Sequence, residues 1–205
     1  MGNIRKPSKE LVEEYLYRWE NDEEFINTKE NTLKKLFSNY KENKEIDIIL
    51  IKVAVLDSFY STNLRYKVNM VDVAKCIKEL NIDKCLDEGD INLVNVISKG
   101  LINSYKNKPK TYSVGLYSFT TKYCSFHRPE FYPIYDSFVE KVLIYFRDND
   151  DLCSFKNKDL KDYKSFKNII NLFIEKYRLK EFDYKKIDQF LWLFGKYELS
   201  EKDEN

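Results

Sequence analysis

The chain has 205 residues, of which 43% are hydrophobic and 34% charged, with a formal net charge of +1. These values indicate a globular chain of one domain or two lobes that share a core, and they exclude a polycation that binds nucleic acid through its overall charge. With only 5 glycines and 4 prolines, long helices are favoured over many short strands and turns. The composition therefore predicts an all-α fold.

The cysteines and the amino-terminal stretch further limit the classes of protein to which the chain can belong. The four cysteines show no C-x-x-C pair and no zinc or iron–sulfur spacing, and the chain has one histidine. The start "MGNIRKPSKE" lacks the apolar core of a signal peptide, and no later run reaches membrane-spanning length. We therefore expect reduced thiols, no metal, no cofactor, no membrane segment, a cytoplasmic location and a monomer.

The sequence predicts three helices in the first third of the chain. A helix is predicted from Ser8 to about Asn21, with one apolar face formed by Leu11, Val12, Tyr15, Leu16 and Trp19. A more polar helix follows over about 23–40. The run "IDIILIKVAVLDSFYSTNLR", residues 46–65, is rich in β-branched residues, but its length and its lack of Gly and Pro predict a fully buried helix.

The rest of the chain also reads as helices, which we predict near 70–80, 90–105, 116–126, 137–147, 162–178 and 184–194. The last of these has Asp183 as a candidate N-cap and Gly195 as its stop. We expect a single compact unit with two lobes around a cleft. One lobe would combine residues 1–64 with 151–205, and the other would span 65–150.

Charge is unevenly placed along the chain. Residues 91–129 contain no Asp or Glu, but they contain Lys99, Lys106, Lys108, Lys110, Lys122, His127 and Arg128. A surface without carboxylates tolerates the phosphates of a duplex, and the interleaved aromatic residues suit contact with bases and sugars. The alternatives are a solvated basic loop and a surface that docks an acidic partner protein.

The stretch "SVGLYSFTTKYCSFHRPEFYPIYDSFVEKVL" places a glycine, a helix and a loop before an aspartate that opens the next helix. This arrangement resembles the helix–hairpin–helix DNA glycosylases, the superfamily of endonuclease III. The resemblance implies a two-lobed helical bundle in which Gly115 is the hairpin remnant and Asp136 the catalytic carboxylate. Ser118 stands eighteen residues before Asp136, at a position that is lysine in members that also cut the strand. With serine at this position, the resemblance therefore implies base removal without lyase activity.

A second stretch supports the resemblance. "IILIKVAVLDSFYSTNLR" is similar to the family's buried N-terminal helix, whose end sends polar residues toward the flipped base, here Tyr60 and Asn63. Tyr117 is a third candidate for the base pocket. The DNA-facing surface on double-stranded DNA would comprise Lys106, Lys108, Lys110, Gly115, His127 and Arg128. The cysteine cluster of endonuclease III is absent, which removes an iron–sulfur cofactor.

Removal of a base needs a carboxylate, because breaking an N-glycosidic bond builds positive charge on the sugar. "SFVE", residues 137–140, is a capping-box pattern in which Ser137 caps the helix and Glu140 reaches back. Asp136 would then lie one residue outside the helix and point into the cleft. The alternative is that Asp136 is itself the N-cap.

Other residue roles also have two interpretations. Lys122 lies one turn after Ser118 on the same helix face, where it would act as a Schiff-base nucleophile, contact a phosphate or simply be solvated. His127 would hold a phosphate beside Arg128 or make a structural hydrogen bond. The whole chain likewise has two rivals to a glycosylase. One is an inactive DNA-binding module of the same fold, and the other is a helical protein-interaction domain.

Overall fold

The computed structural model describes residues 4–21, 26–62, 64, 68–103 and 112–199, with the backbone alone for residues 103 and 112–115. Within these ranges the chain forms helices and no strand, so the all-α prediction is confirmed. The helices are α1 Lys9–Glu20, α2 Ile26–Asn39, α3 Ile46–Tyr60, α4 Met70–Glu79, α5 Asp83–Asp87, α6 Leu93–Asn103, α7 Tyr112–His127, α8 Ser137–Asp150, α9 Tyr163–Lys176 and α10 Tyr184–Phe194. A 3-10 helix, Asn157–Lys161, precedes α9, and a π-helical turn, Gly195–Leu199, follows α10.

The helices fall into two units. The terminal unit combines Met1–Asn27 with Tyr135–Asn205, and the central unit is Thr28–Ile134. The two ends of the chain thus share one unit, but the boundaries differ from those predicted. Residues 28–64 belong to the central unit and residues 135–150, including Asp136, to the terminal unit.

The core of the terminal unit forms where α10 packs against α1 and α8. The Tyr15 ring of α1 lies 5.7 Å from Phe190 and 5.6 Å from Phe194, and Phe146 of α8 lies 5.9 Å from Phe194. All four rings are buried, which places the most strongly apolar faces of these helices in one cluster. Asp183 caps α10 as predicted, because its side chain accepts a hydrogen bond from the amide of Lys186.

In the central unit, α3 packs against α4 and α7, and α6 packs against α4 and α7. Ile49, Val53 and Leu56 bury one face of α3 completely, but Ile51 is 47% exposed on the other face. The prediction of a fully buried helix is therefore wrong. The apolar run of α3 exceeds what the neighbouring helices cover, so part of it faces solvent.

Among the described residues, no helix combines the length and the apolar character that crossing a membrane requires.

Candidate functional site

Three of the predicted site residues meet in the central unit, in a group that we call the Lys122 cluster: Ser118, Lys122 and Tyr60. The Nζ atom of Lys122 donates a hydrogen bond of 2.6 Å to the Oγ atom of Ser118. The same Nζ atom lies 5.6 Å from the centre of the Tyr60 ring. Lys122 is only 1% exposed, while Ser118 and Tyr60 are partly exposed. The cluster thus places an amine beneath a partly accessible hydroxyl and an aromatic ring.

The helices explain why these residues meet. Ser118 and Lys122 are four residues apart on α7, so they share a face. That face packs against α3, and Tyr60 is the last residue of α3. The Tyr60 ring also packs on Phe126, with 5.7 Å between ring centres. The end of α3 and the middle of α7, the two stretches that carry the resemblance, therefore lie side by side.

A buried lysine needs partners, and the Lys122 cluster supplies a hydroxyl and a ring face. Its burial means that Lys122 is not a surface contact for phosphate in this structure, which removes that interpretation. Tyr117, the other pocket candidate, is 5% exposed in the preceding turn of α7. Asn63 lies outside the described residues.

In residues 91–129, the stretch without Asp or Glu, the described part has one exposed lysine, Lys99. Lys106, Lys108 and Lys110 lie outside the described residues. Gly115 lies inside α7, which begins three residues earlier at Tyr112. The prediction that Gly115 belongs to a hairpin before the helix is therefore wrong, since the helical backbone continues through it.

His127 is the last residue of α7 and Arg128 follows it, and both are engaged within the protein. The His127 ring packs 4.9 Å from the Phe37 ring and 5.1 Å from the Tyr123 ring. Burial, with the nearby charges of Lys52 and Arg128, lowers the pKa of His127 well below its usual value, so it is neutral at pH 7. Arg128 forms an ion pair with Asp87. Neither placement favours a contact with a DNA phosphate.

Asp136 is the N-cap of α8. Its Oδ1 atom accepts a hydrogen bond of 3.1 Å from the amide of Phe138, and its backbone is extended. The capping-box interpretation is therefore wrong, because Ser137 is the first helical residue and is exposed. An aspartate is as good an N-cap as serine, and only the backbone conformation decides which of two neighbours takes the role. Asp136 remains partly exposed at the helix start.

Glu140 takes part in a different group, the Lys161 cluster of Tyr135, Glu140 and Lys161. The Lys161 ammonium donates a hydrogen bond of 2.6 Å to the Oε2 atom of Glu140. The Tyr135 hydroxyl donates to the same Glu140 oxygen and accepts from Lys161. Burial lowers the pKa of Lys161 to about 8 and raises that of Glu140. Sequence reasoning missed this cluster because Lys161 lies 21 residues along the chain from Glu140.

A third polar group lies inside the central unit and was also missed. Lys52, fully buried on α3, donates hydrogen bonds to the carbonyl of Glu42 at 3.1 Å and to Oδ1 of Asn43 at 3.2 Å. Asn43 also accepts a hydrogen bond from the Tyr123 hydroxyl and donates one to Asp83 at 2.7 Å. Burial lowers the pKa of Lys52 to about 8. The sequence signal was available, since Lys52 falls between Ile49 and Val53 on the apolar face.

Across the described part of the chain, no group of three or more His, Cys, Asp or Glu side chains has the arrangement of a metal site. The three polar clusters described above contain amines, hydroxyls, an amide and carboxylates.

With this geometry in view, comparison with known proteins places the chain in a family. The family model HI_0787_N, described as an N-terminal domain, matches residues 11–131. The chain belongs to this family. A relative from Haemophilus influenzae, named "Uncharacterized protein", is 40% identical to the chain over 152 residues. These residues cover 74% of this chain and 68% of the relative. No solved structure shows a significant match.

The family match includes the whole Lys122 cluster and ends before Asp136. The names of the family and of the relative state no reaction or ligand. The side chains of the protein are therefore the basis of the proposed function.

Proposed function

We propose that the protein is a DNA glycosylase, which hydrolyses the N-glycosidic bond of a damaged or modified base flipped out of double-stranded DNA. The observation that carries this proposal is the Lys122 cluster. Two separate stretches resemble parts of the glycosylases, and Tyr60, a base-pocket candidate in one, contacts Lys122, which pairs with Ser118 as a catalytic candidate in the other. The expected activity uses no metal or cofactor, and its substrate is either an oxidised base, as in base-excision repair, or a modified base of invading phage DNA.

The Lys122 cluster has the chemical groups that a base pocket needs. The Tyr60 ring offers a stacking face, and the Ser118 hydroxyl offers a donor and an acceptor for the edge of a base. The Lys122 ammonium is a donor suited to a leaving base, on which negative charge develops as the bond breaks. In the proposal Lys122 acts as this donor, and strand cleavage by a lysine nucleophile is not its main role.

The carboxylate that the resemblance assigns to the reaction is Asp136, in the terminal unit. As charge develops on the sugar, an ionised carboxylate stabilises it and orients or deprotonates the attacking water. The N-terminus of α8 favours the ionised form, because the helix dipole places partial positive charge there. The same side chain can serve as a cap and as an electrostatic stabiliser, because one carboxylate has two oxygens and about four lone-pair directions.

The proposal is tested by base release from duplex oligonucleotides that carry a panel of oxidised, alkylated, deaminated and hypermodified bases. The variant is Lys122→Met, and the matched control is Lys52→Met, since both remove a buried lysine of the central unit. We expect wild type and the control to release one base and Lys122→Met to lose at least about 100-fold in rate, the size of one lost donor. Equal loss in both variants would contradict the assigned role of Lys122.

A second candidate is favoured by the capping role of Asp136. If that carboxylate serves only α8, the same fold would bind DNA without cutting it. This DNA-binding module and the glycosylase both predict duplex binding that weakens steeply with salt. They differ in a single readout, since only the glycosylase leaves an alkali-labile abasic site.

A further inference from the structure

The Lys161 cluster has a nucleophile, a proton donor and a positioning hydroxyl within hydrogen-bond contact. We propose that it is a reactive-amine site, in which Lys161 condenses with the carbonyl group of a small aldehyde to form an imine. The site lies in the terminal unit and shares no residue with the Lys122 cluster. It uses neither Asp136 nor DNA, so it stands or fails apart from the glycosylase proposal.

Accessibility is the first requirement for such a site. The Lys161 side chain is 33% exposed and that of Glu140 is 21% exposed, so a small molecule reaches both from solvent. Tyr135, by contrast, is 2% exposed, and its ring packs edge-on against Phe166 with 5.7 Å between ring centres. The tyrosine hydroxyl is thus fixed by the core while the amine and the carboxyl face outward. This is the arrangement of a positioned site.

The second requirement is an unprotonated amine. Only the neutral form of a lysine attacks a carbonyl carbon, and an ordinary lysine is almost fully protonated at pH 7. Burial lowers the pKa of Lys161 to about 8. At pH 7 this gives roughly 200-fold more neutral amine than an ordinary lysine has. Burial also raises the pKa of Glu140, so that this carboxyl holds a proton more readily than usual.

The reaction balances with these groups alone. The neutral Lys161 nitrogen forms a bond to the carbonyl carbon, and one of its two protons passes to the carbonyl oxygen to give a carbinolamine. Glu140 then donates its proton to the hydroxyl, which leaves as water as the carbon–nitrogen double bond forms. The Glu140 carboxylate takes the second proton from the nitrogen, which restores the carboxyl group and leaves a neutral imine. Tyr135 is a positioning residue, because its hydroxyl bonds to both partners and holds them together. The net change is amine plus aldehyde to imine plus water.

The proposal is tested on the full chain with pyridoxal, an aldehyde, and sodium cyanoborohydride, which reduces the imine to a stable amine. Peptide mass spectrometry measures the rate of labelling at each lysine. The internal control is Lys176, an exposed lysine of the same unit. At pH 7 we expect Lys161 to be labelled at least about tenfold faster than Lys176, since part of the 200-fold gain is offset by lower nucleophilicity. Labelling at or below the rate of Lys176 would overturn the proposal.

The variant Glu140→Gln separates a chemical role from a simple ion pair. If Glu140 donates the proton, labelling of Lys161 slows by about tenfold or more while that of Lys176 is unchanged. If Glu140 only pairs with the ammonium, the neutral amide favours the free amine and labelling becomes faster, which would overturn the assigned role. In Lys161→Arg, which keeps a cation beside Glu140, the label at position 161 disappears and the other sites keep their rates.

Discussion

At the scale of one residue, Asp136 has a structural role as the N-cap of α8 and a proposed chemical role as the carboxylate of the reaction. The sequence correctly places a capping aspartate or serine at the start of α8, but it does not decide between Asp136 and Ser137. That choice depends on which residue has the extended backbone, and here it is Asp136.

The Lys122 contacts were predicted only in part. Helical spacing indicates that Ser118 and Lys122 share a face, whereas the burial of Lys122 depends on how α3 packs against α7.

The capping role of Asp136 predicts a specific pattern of stability. Replacing Asp136 by Ala removes the acceptor for the amide of Phe138, and we expect the free energy of unfolding to fall by about 1 kcal/mol. Asp136→Asn should change it by only a few tenths of a kcal/mol, since Asn caps equally well. Urea denaturation of the two variants measures this. If Ala and Asn are equally stable, Asp136 is not the cap.

Lys52 predicts a pH dependence. Its native pKa of about 8 lies below the unfolded value of about 10.4, so between these values the unfolded chain holds a proton that the native chain has released. The buried charge of Lys52 therefore lowers the free energy of unfolding by its full amount below pH 8. This destabilisation decreases as the pH rises toward 10. The free energy of unfolding of wild type minus that of Lys52→Met should rise by about 2 kcal/mol from pH 7 to pH 10.

The control for this experiment is Lys35→Met, in which an exposed lysine of α2 is replaced. Its difference from wild type should vary by no more than a few tenths of a kcal/mol, because solvated surface charges contribute little. Denaturation curves at each pH give both differences. Parallel behaviour of wild type and Lys52→Met across this range would contradict the account of the buried amine.

At the scale of elements, apolar periodicity predicted most helices within a few residues. Periodicity did not predict α5 or the 3-10 helix before α9, because each has only five residues and is too short to show a period. The predicted start of α7, residue 116, lies four residues after the observed start at Tyr112. Gly115 was interpreted as a turn, yet a glycine within a helix costs only about 1 kcal/mol, which tertiary packing readily offsets.

The contact between α10 and α8 gives a prediction at this scale. A Cβ atom at Gly195 would lie 2.7 Å from the carbonyl oxygen of Phe138 and 2.8 Å from its Cβ atom. Gly195→Ala must therefore push the end of α10 away from the first turn of α8, the turn that Asp136 caps. We expect a loss of about 1–3 kcal/mol in the free energy of unfolding, as overpacking usually costs. Thermal and urea denaturation measure it.

Gly100→Ala is the matched control, since Gly100 also lies in a helix. A Cβ atom there would approach only the Sγ atom of Cys76, at 3.2 Å, and Leu80 Cδ1, at 3.4 Å, both ends of side chains that can adjust. The better helix propensity of Ala offsets this contact, so the net change should be under about 1 kcal/mol. A Gly195→Ala variant as stable as Gly100→Ala would show that α10 and α8 do not approach so closely.

At the scale of the whole molecule, any affinity for DNA must come from local placement of charge, because the net charge is +1. Within the described part of residues 91–129, Lys99 is exposed, but Lys122 is buried, His127 is neutral and Arg128 is paired with Asp87. Among the residues predicted to face DNA, the positive charge therefore depends on Lys106, Lys108 and Lys110. The two units also show what sequence reasoning lacked, since a boundary near residue 134 depends on contacts between distant segments.

This dependence gives a testable prediction. Replacing Lys106, Lys108 and Lys110 together by Gln should lower the slope of log affinity against log salt by about 2–3, close to 0.9 for each lost phosphate contact. Replacing Lys29, Lys35 and Lys41, which are exposed in the structure, is the control with the same change in net charge. Fluorescence anisotropy with a labelled duplex gives both slopes. Equal slopes for the two triple variants would contradict a DNA surface at 106–110.

Abasic-site formation by Asp136→Asn tests the central claim most directly. Asp162 caps α9 just as Asp136 caps α8, so Asp162→Asn is a matched control that changes a capping aspartate in the same way. Because Asn preserves a cap and removes the charge, any effect specific to Asp136 is chemical. We predict that wild type and Asp162→Asn leave alkali-labile sites at one base of the panel, and that Asp136→Asn binds the duplex without doing so. Equal activity of the two variants would contradict a catalytic role for Asp136, and no release by any of the three would contradict the glycosylase.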